Sequence, residues 1–163
     1  AFARYIGLGF PGGPKIEQLA LQGKNYIELP YVVKGMDVSF SGILTDLKRK
    51  CDSKKHKTGD LCYSLQETVF AMLTEVSERA MAHTGKKDLL LGGGVACNKR
   101  LREMCKIMCR ERNAKFFVPE NQFLVDNGVM ISWLGILMKK NAKKNYKSID
   151  IKPYERTDEI KVK

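Results

Sequence analysis

The residues whose types and spacing best suit chemistry stand together at positions 89–98, which read Leu-Leu-Leu-Gly-Gly-Gly-Val-Ala-Cys-Asn. The apolar run predicts a buried strand, and the glycines predict a turn with unusual backbone angles. Asn98 is a candidate N-cap for a helix over residues 99–112. A strand, a glycine turn and a helix N-terminus together can hold a phosphate. A plain tight turn explains the same glycines equally well.

A second glycine turn occurs at Gly12 and Gly13. Pro14 suits the first position of the helix that follows, and Gly23 suits its C′ position. Glu17 lies one turn inside this helix. A carboxylate there is favourable near the helix N-terminus, whether or not it also contacts a ligand.

A further carboxylate, Asp126, precedes an apolar helix predicted over residues 128–138. It is either an ordinary N-cap or a group that projects into a ligand cleft. Strands that alternate with helices predict an α/β protein, in which ligands bind beyond the carboxyl ends of the strands. Residues 92–94 and Asp126 fall at such positions.

The remaining elements are predicted from apolar periodicity and from start and stop residues. They are short extended pieces within 26–40, a helix over 42–50 capped by Ser41, a long helix over 60–83 with Asp60 as N-cap and Gly85 at C′, and a strand over 115–118. Residues 48–57 carry six basic residues and one acidic residue, which predicts a polar, mobile loop. Residues 139–163 are predicted to form a basic tail that is flexible or lies along the surface.

Composition sets broad limits on the protein. The chain has 163 residues, 44% of them hydrophobic, which is enough for one globular domain with a core. Its net charge of +11 favours a polyanionic partner such as RNA, although a solvated basic surface is the alternative. The five cysteines include no C-x-x-C pair, which predicts reduced thiols in an intracellular protein. No membrane span or signal peptide is visible, and the start at Ala-Phe-Ala-Arg suggests a piece of a longer protein.

Four stretches together resemble the family of tRNA threonylcarbamoyladenosine transferases, which includes bacterial TsaD and the catalytic subunit of the KEOPS complex. They are Phe-Ala-Arg-Tyr with Pro-Gly-Gly-Pro-Lys-Ile-Glu-Gln-Leu-Ala (2–5 and 11–20), residues 28–44, residues 61–83, and Gly-Gly-Val-Ala-Cys-Asn (93–98) with Val-Asp-Asn-Gly-Val-Met-Ile (125–131). The resemblance extends over nearly the whole chain, including residues 156–160. It is closest to the archaeal and eukaryotic branch.

The resemblance implies the actin-like, sugar-kinase-like, Hsp70-like (ASKHA) ATPase fold, mainly its C-terminal lobe. That lobe would cover residues 1–140, followed by a basic tail over 141–163. The implied reaction transfers a threonylcarbamoyl group from threonylcarbamoyl-adenylate to the adenosine next to the anticodon in tRNA. The implied partners are tRNA and KEOPS subunits, including the kinase-like subunit. The implied location is cytoplasmic or nuclear, with no membrane contact.

The resemblance also implies individual site residues. The adenine nucleotide would be bound by Gly13, Glu17, Gly93, Gly94 and Asn98, and Asp126 would be a ligand of one divalent metal, iron or zinc, in the full-length protein. The family's other metal ligands are two histidines at H-x-x-x-H spacing, which His56 and His83 cannot provide. A family aspartate expected just before Ala1 is also missing. We therefore expect weak or absent metal binding, and no activity, from the isolated chain.

Three other functions compete with this one. The family's older label, O-sialoglycoprotein endopeptidase, suggests a metallopeptidase, but the chain has no H-E-x-x-H motif and only two histidines. A non-catalytic lobe that binds nucleotide or partner subunits is the second alternative. A sugar kinase or Hsp70-type ATPase is the third, and the stretches at 34–44 and 126–131 argue against it, because a shared fold alone does not assign function.

Overall fold

The computed structural model describes residues 1–141, 147, 150–151 and 153–154. The helices are α1 (Phe2–Tyr5), α2 (Gly12–Ala20), α3 (Ser41–Asp52), α4 (Thr58–Thr84), α5 (Lys99–Glu111) and α6 (Gly128–Leu137). The strands are β1 (Val33–Lys34), β2 (Asp37–Val38), β3 (Asp88–Leu90) and β4 (Lys115–Phe117), and 3-10 turns occur at Gly94–Cys97, Asn121–Phe123 and Lys139–Asn141. No helix in the described residues has the length and apolar character needed to cross a membrane.

The chain divides into two compact units, Ala1–Leu124 and Val125–Lys163. The first unit contains α1–α5 and all four strands. The second unit contains α6 and the described part of the C-terminal segment. The division predicted from the family resemblance, after residue 140, stays a prediction.

Helix α4 is the central element of the first unit, and its prediction is confirmed. Its buried residues Leu61 and Met72 share one apolar cluster with residues from α1, α2 and α3: Phe2, Ala20, Ile43 and Leu47. Gly85 ends the helix in the left-handed conformation, with φ of 67°, as the sequence predicted.

Asp60 is not the N-cap of α4. Lys57 is in that position, and Asp60 lies in the first helical turn. Its carboxylate accepts hydrogen bonds from the backbone N–H groups of Lys24 (2.8 Å) and Asn25 (3.1 Å). These bonds stabilise the charged form and lower the pKa of Asp60. The carboxylate therefore fastens the segment after α2 to α4 instead of capping its own helix.

Two other predicted helix starts are also wrong, by one or two positions. Pro14 is the third residue of α2, which begins at Gly12; the first turn tolerates proline because its N–H groups lack partners within the helix. Ser41 begins α3 without capping it, since Phe40 is the N-cap and makes no side-chain bond.

Helix α3 continues to Asp52, so part of the predicted mobile loop at 48–57 is helical. Asp46 supports this turn by accepting from Arg49 and Lys50, both at 2.5 Å.

Strands β3 and β4 are parallel, with Leu89 paired to Phe116, and α5 connects them. This β–α–β unit confirms the α/β class. Residues of α5 and α4 pack on the sheet in a cluster built around Phe70, Leu101 and Cys105. The prediction of a buried strand is wrong, because Leu90 is 68% exposed. The other sheet is the antiparallel hairpin of β1 and β2.

In the second unit, α6 is confirmed close to its predicted bounds. Its N-cap is Asn127, whose side-chain oxygen accepts from the N–H of Met130 at 2.9 Å. The expectation that Asp126 caps this helix is therefore wrong by one residue. Most of the predicted basic tail, at 142–146, 148–149, 152 and 155–163, lies outside the described residues.

Gly23 is needed for close packing and not as the C′ residue that the sequence predicted, since α2 ends at Ala20 with Leu21 as its C-cap. A Cβ at Gly23 would lie 2.5 Å from Tyr63 Cβ and 2.6 Å from the backbone oxygen of Gly59. We expect Gly23→Ala to lower the free energy of unfolding by about 1–3 kcal/mol, because α4 must move away. Urea unfolding measures this change.

Gly13→Ala is the matched control, because nothing lies within 4 Å of its Cβ position. We expect it to leave the stability unchanged or slightly raised, since alanine favours the helix. Equal unfolding midpoints for the two variants would contradict the close contact between Gly23 and α4.

Candidate functional site

Asn98 caps α5, and both the oxygen and the nitrogen of its side-chain amide are hydrogen-bonded within the protein. Its Oδ1 accepts from the N–H groups of Arg100 (2.9 Å) and Leu101 (3.1 Å), which confirms the predicted cap. Its Nδ2 donates to Gln66 Oε1, on α4, at 3.0 Å. Because the two ends of the amide have different partners, the side chain has one preferred orientation.

Glu17 reaches the same helix start from α2. Its Oε1 accepts from the N–H of Lys99 at 3.0 Å, across 82 positions of sequence. The N–H of Asn98 itself donates to the carbonyl of Val95 at 3.0 Å. All four N–H groups that a helix start leaves without intrahelical partners are therefore satisfied by the protein. The hypothesis that these groups hold a phosphate directly does not fit this arrangement.

The glycine turn lies between β3 and α5, at the carboxyl end of the strand. Gly93 has φ of 80°, a conformation that favours glycine, and Gly94 begins the 3-10 turn that leads to Asn98. No heavy atom lies within 4 Å of the Cβ position of Gly92, Gly93 or Gly94. The protein therefore does not need these glycines for internal packing, and the open backbone leaves room for a ligand.

A cleft of about 710 Å³ lies between α2, α4 and the start of α5. Its lining comprises Pro14, Glu17, Gln18, Ala20, Leu21, Gly23, Tyr63, Gln66, Glu67, Cys97, Lys99, Arg100 and Glu103. The contact between Glu17 and Lys99 joins two of these walls. A pocket of this size is within the range of small-molecule and cofactor sites.

An ion-pair cluster fixes the wall of the cleft formed by α4 and α5. Arg100 donates through Nε and Nη2 to both carboxylate oxygens of Glu67, at 2.9 and 2.8 Å, and through Nη1 to Glu103 at 2.7 Å. The two carboxylates raise the pKa of Arg100 above its usual range. Bidentate pairing adds geometric specificity, so it fixes how α5 sits on α4.

The structure brings four of the predicted nucleotide residues into one region of the first unit. Glu17 lines the cleft, Asn98 caps the helix that borders it, and Gly93 and Gly94 form the turn before that cap. Gly13 lies in the first turn of α2, with open space around its Cβ position. Asp126 is exposed, in the second unit, just before α6. Their binding roles stay predictions.

Sequence reasoning missed Gln66, Glu67 and Arg100. Gln66 is 8% exposed in the middle of α4. A buried side-chain amide needs a hydrogen-bond partner, and Asn98 is the partner of this one. The signal in the sequence was weak, because these residues meet across 32 or 33 positions. Their pairing depends on the relative position of α4 and α5, which local patterns do not encode.

The sequence model of one family, TsaD, described as tRNA N6-adenosine threonylcarbamoyltransferase, matches residues 1–133. The chain belongs to the TsaD family. The resemblance drawn from the four sequence stretches is thereby confirmed. The TsaD match includes all the residues of the first unit described above, together with Asp126 and the start of α6.

Relatives of this TsaD-family chain have high sequence identity to it. It is 58% identical over 162 residues to tRNA N6-adenosine threonylcarbamoyltransferase of Thermococcus sibiricus, covering 99% of this chain and 50% of that protein. It is 55% identical to a probable bifunctional tRNA threonylcarbamoyladenosine biosynthesis protein of Methanococcus vannielii, covering 99% of this chain and 29% of that protein. The chain thus spans half or less of the length of these curated relatives.

Among solved structures, the crystal structure of HypF from Thermococcus kodakarensis resembles this TsaD-family chain with a TM-score of 0.63. The likeness covers 80% of this chain and 17% of HypF, at 22% sequence identity. At that identity the likeness concerns the fold alone.

Gln66 is expected to hold Asn98 in its capping orientation. Gln66→Met removes the acceptor for Asn98 Nδ2 while keeping a similar volume. We expect it to lower the free energy of unfolding by about 1 kcal/mol and to speed amide hydrogen exchange at Arg100 and Leu101. Exchange followed by NMR, together with urea unfolding, measures both effects.

Gln66→Glu keeps an oxygen acceptor at the same place and is the control. Exchange at Arg100 and Leu101 should then stay close to that of the unaltered chain. The orienting role is refuted if both substitutions, or neither, speed exchange at these two amides.

Proposed function

We propose that this chain is one lobe of a tRNA N6-adenosine threonylcarbamoyltransferase with the actin-like, Hsp70-like ATPase fold. The whole protein would transfer a threonylcarbamoyl group from threonylcarbamoyl-adenylate to the adenosine beside the anticodon in tRNA. Family membership over residues 1–133 supports this proposal. Its fold component is supported by the likeness to HypF.

The observation that carries the proposal is the meeting of Glu17 and Asn98 at the start of α5. These two residues, both assigned to nucleotide binding by the family resemblance, contact adjacent backbone N–H groups of one helix turn. The glycine turn leads directly into the same turn. We therefore assign this edge of the cleft as a half-site for the adenine nucleotide of the adenylate.

In this reaction the main task of the lobe is to bind the adenylate and to orient it toward the accepting adenosine. An acyl-adenylate has a good leaving group, so most of the catalytic benefit comes from holding the adenylate and the accepting adenosine in the correct geometry. Glu17 has a second carboxylate oxygen beyond the one bound to Lys99, and that oxygen suits a ribose hydroxyl. The open backbone at Gly93 and Gly94 allows phosphate oxygens to approach closely.

The partners and location of the whole protein belong to the same proposal. The relatives' names support tRNA as the substrate. We propose KEOPS subunits, including the kinase-like subunit, as protein partners and a cytoplasmic or nuclear location. These assignments rest on the family resemblance.

We also propose that the whole protein holds one divalent metal, iron or zinc, with Asp126 as one ligand. The described residues contain no group of three or more histidine, cysteine, aspartate or glutamate side chains placed to share a metal. A catalytic transition metal usually has three protein ligands. The residues described here thus do not fit a complete metal site, and no step of the reaction is derived through one.

Asp126 alone is expected to bind metal weakly. We expect the purified 163-residue chain to retain well under one equivalent of iron or zinc after desalting, and Asp126→Ala to change nothing. Elemental analysis by mass spectrometry measures the content, with Asp150→Ala as a control for surface carboxylates. Stoichiometric metal that disappears only in Asp126→Ala would contradict this expectation.

Transfer of the labelled threonylcarbamoyl group from threonylcarbamoyl-adenylate to tRNA, with release of AMP, tests the proposed function in the full-length protein. Asn98→Ala removes the cap and the amide, whereas Asn98→Asp keeps a good cap but places a negative charge beside the phosphate. We expect both variants to weaken nucleotide binding roughly 10- to 100-fold. Calorimetric titration with ATP measures affinity alongside transfer.

An unaltered protein that leaves tRNA unlabelled, with its partner subunits present, would refute the transferase assignment. Transfer and nucleotide affinity that both survive Asn98→Ala and Asn98→Asp would refute the half-site instead. Retained stability of Asn98→Asp is the check that its effect is on binding and not on folding.

A further inference from the structure

The outer face of α5 carries a line of four cations. Lys99, Arg102, Lys106 and Arg110 follow one another at spacings of three, four and four residues, which places them on one side of the helix. Leu101, Cys105, Met108 and Cys109 are buried on the neighbouring side, which faces the core. With a rise of about 1.5 Å per residue, the line is about 17 Å long. We call these four residues the basic stripe.

The charges of the basic stripe are not balanced within the first unit. Among the described residues, none of the four takes part in a salt bridge. Some cations on other elements are paired, as Arg49 and Lys50 are with Asp46 and Arg79 is with Glu75. Glu103, which lies beside the stripe, is bound to Arg100. The stripe therefore keeps its positive potential.

The spacing of these like charges lowers the stability of α5. Arg102, Lys106 and Arg110 are like charges at successive i, i+4 positions, and each such pair destabilises a helix by a few tenths of a kcal/mol. A row of like charges that costs stability and has no ion-pair partner among the described residues is typical of a functional surface. A polyanion would supply the missing negative charge.

The basic stripe begins at the cleft. Lys99 belongs to the cleft lining, and its N–H is bound to Glu17. The guanidinium of Arg102 is oriented by neutral acceptors, the carbonyl of Ala96 and Oδ1 of Asn121, each at 2.5 Å. These contacts fix its position without cancelling its charge. An RNA strand that lies along the stripe would therefore lead to the proposed nucleotide half-site.

We propose that the basic stripe of α5 binds the phosphate backbone of the RNA substrate and leads it to the cleft. This inference rests on the proposed function, because it identifies the surface by which this lobe would hold tRNA. A membrane surface fits less well, since a helix that lies on lipid presents a broad apolar face toward it. Ile107, at 38% exposure, is the one large apolar side chain of α5 that is exposed.

The segment at 48–57 is the rival surface, since six of its ten residues are lysine or arginine. Its charges are partly used within the protein: Asp46 accepts from Arg49 and Lys50, and the Nζ of Lys48 lies 5.1 Å from the ring centre of Tyr5. Lys54 and Lys55 remain exposed. Reversing these two changes the net charge by as much as reversing two residues of the stripe, so they provide a matched comparison.

The test compares two double variants of the full-length protein, Lys106→Glu/Arg110→Glu and Lys54→Glu/Lys55→Glu. Binding of a tRNA transcript is measured at several salt concentrations. Each lost phosphate contact reduces the slope of log affinity against log salt by about 1. We expect the stripe variant to reduce the slope by about 2 and to weaken binding roughly 10- to 100-fold at 0.1 M salt, and the comparison variant to change neither. Lys106→Gln/Arg110→Gln, without new negative charge, should show the same reduction in slope.

An unchanged slope in the stripe variants overturns the inference, as does an equal reduction in both glutamate variants, which would reflect net charge alone. Preferential binding of the unaltered protein to anionic phospholipid vesicles over tRNA also overturns it. Failure of the proposed function looks different: the unaltered protein would transfer no threonylcarbamoyl group, whatever the stripe variants do. ATP affinity, measured on the same samples, should be equal in all variants, which shows that the half-site is intact.

Discussion

The start of α5 is the point on which the candidate site depends. Four backbone N–H groups must be satisfied there, and the protein does so with the Asn98 amide and the Val95 carbonyl of the preceding turn and with the Glu17 carboxylate of α2. Unsatisfied N–H groups at a buried or half-buried helix start are costly, so the turn and α2 are held together there, and Gln66 on α4 orients the Asn98 amide. The glycine turn, α2 and α4 take their positions around the cleft from this requirement.

Charge pairing completes the arrangement. Arg100 binds Glu67 on α4, while the four cations of the basic stripe have no ion-pair partner among the described residues. Three sides of α5 thus have different roles. One side packs in the core, one closes the cleft through an ion pair, and one presents uncompensated positive charge. The free energy for holding the helix comes from the first two sides, which allows the third to remain unbalanced.

Local chemistry predicted the elements of the fold well where a single residue was sufficient. Asn98 caps the start of α5 and Gly85 ends α4 as predicted, because an amide acceptor and a left-handed glycine act within one turn. Asp60 and Ser41 were misassigned as caps. Each has the right type for a cap, but the residue that occupies the cap position depends on partners elsewhere, such as the N–H groups of Lys24 and Asn25 for Asp60. Of the site, Glu17 and Asn98 came from family resemblance, whereas Gln66 and the Arg100–Glu67 pair needed the packing of α4 on α5.

The bond between Glu17 and Lys99 has a consequence for how the chain folds. It closes a loop of 82 positions, and the entropy lost on closing so long a loop is recovered only when the intervening core has formed. The edge of the cleft is therefore absent from any partly folded chain in which α5 has not yet docked on α4. A nucleotide that recognises this edge binds only the completed unit, and by mass action it favours that unit over every incompletely folded form.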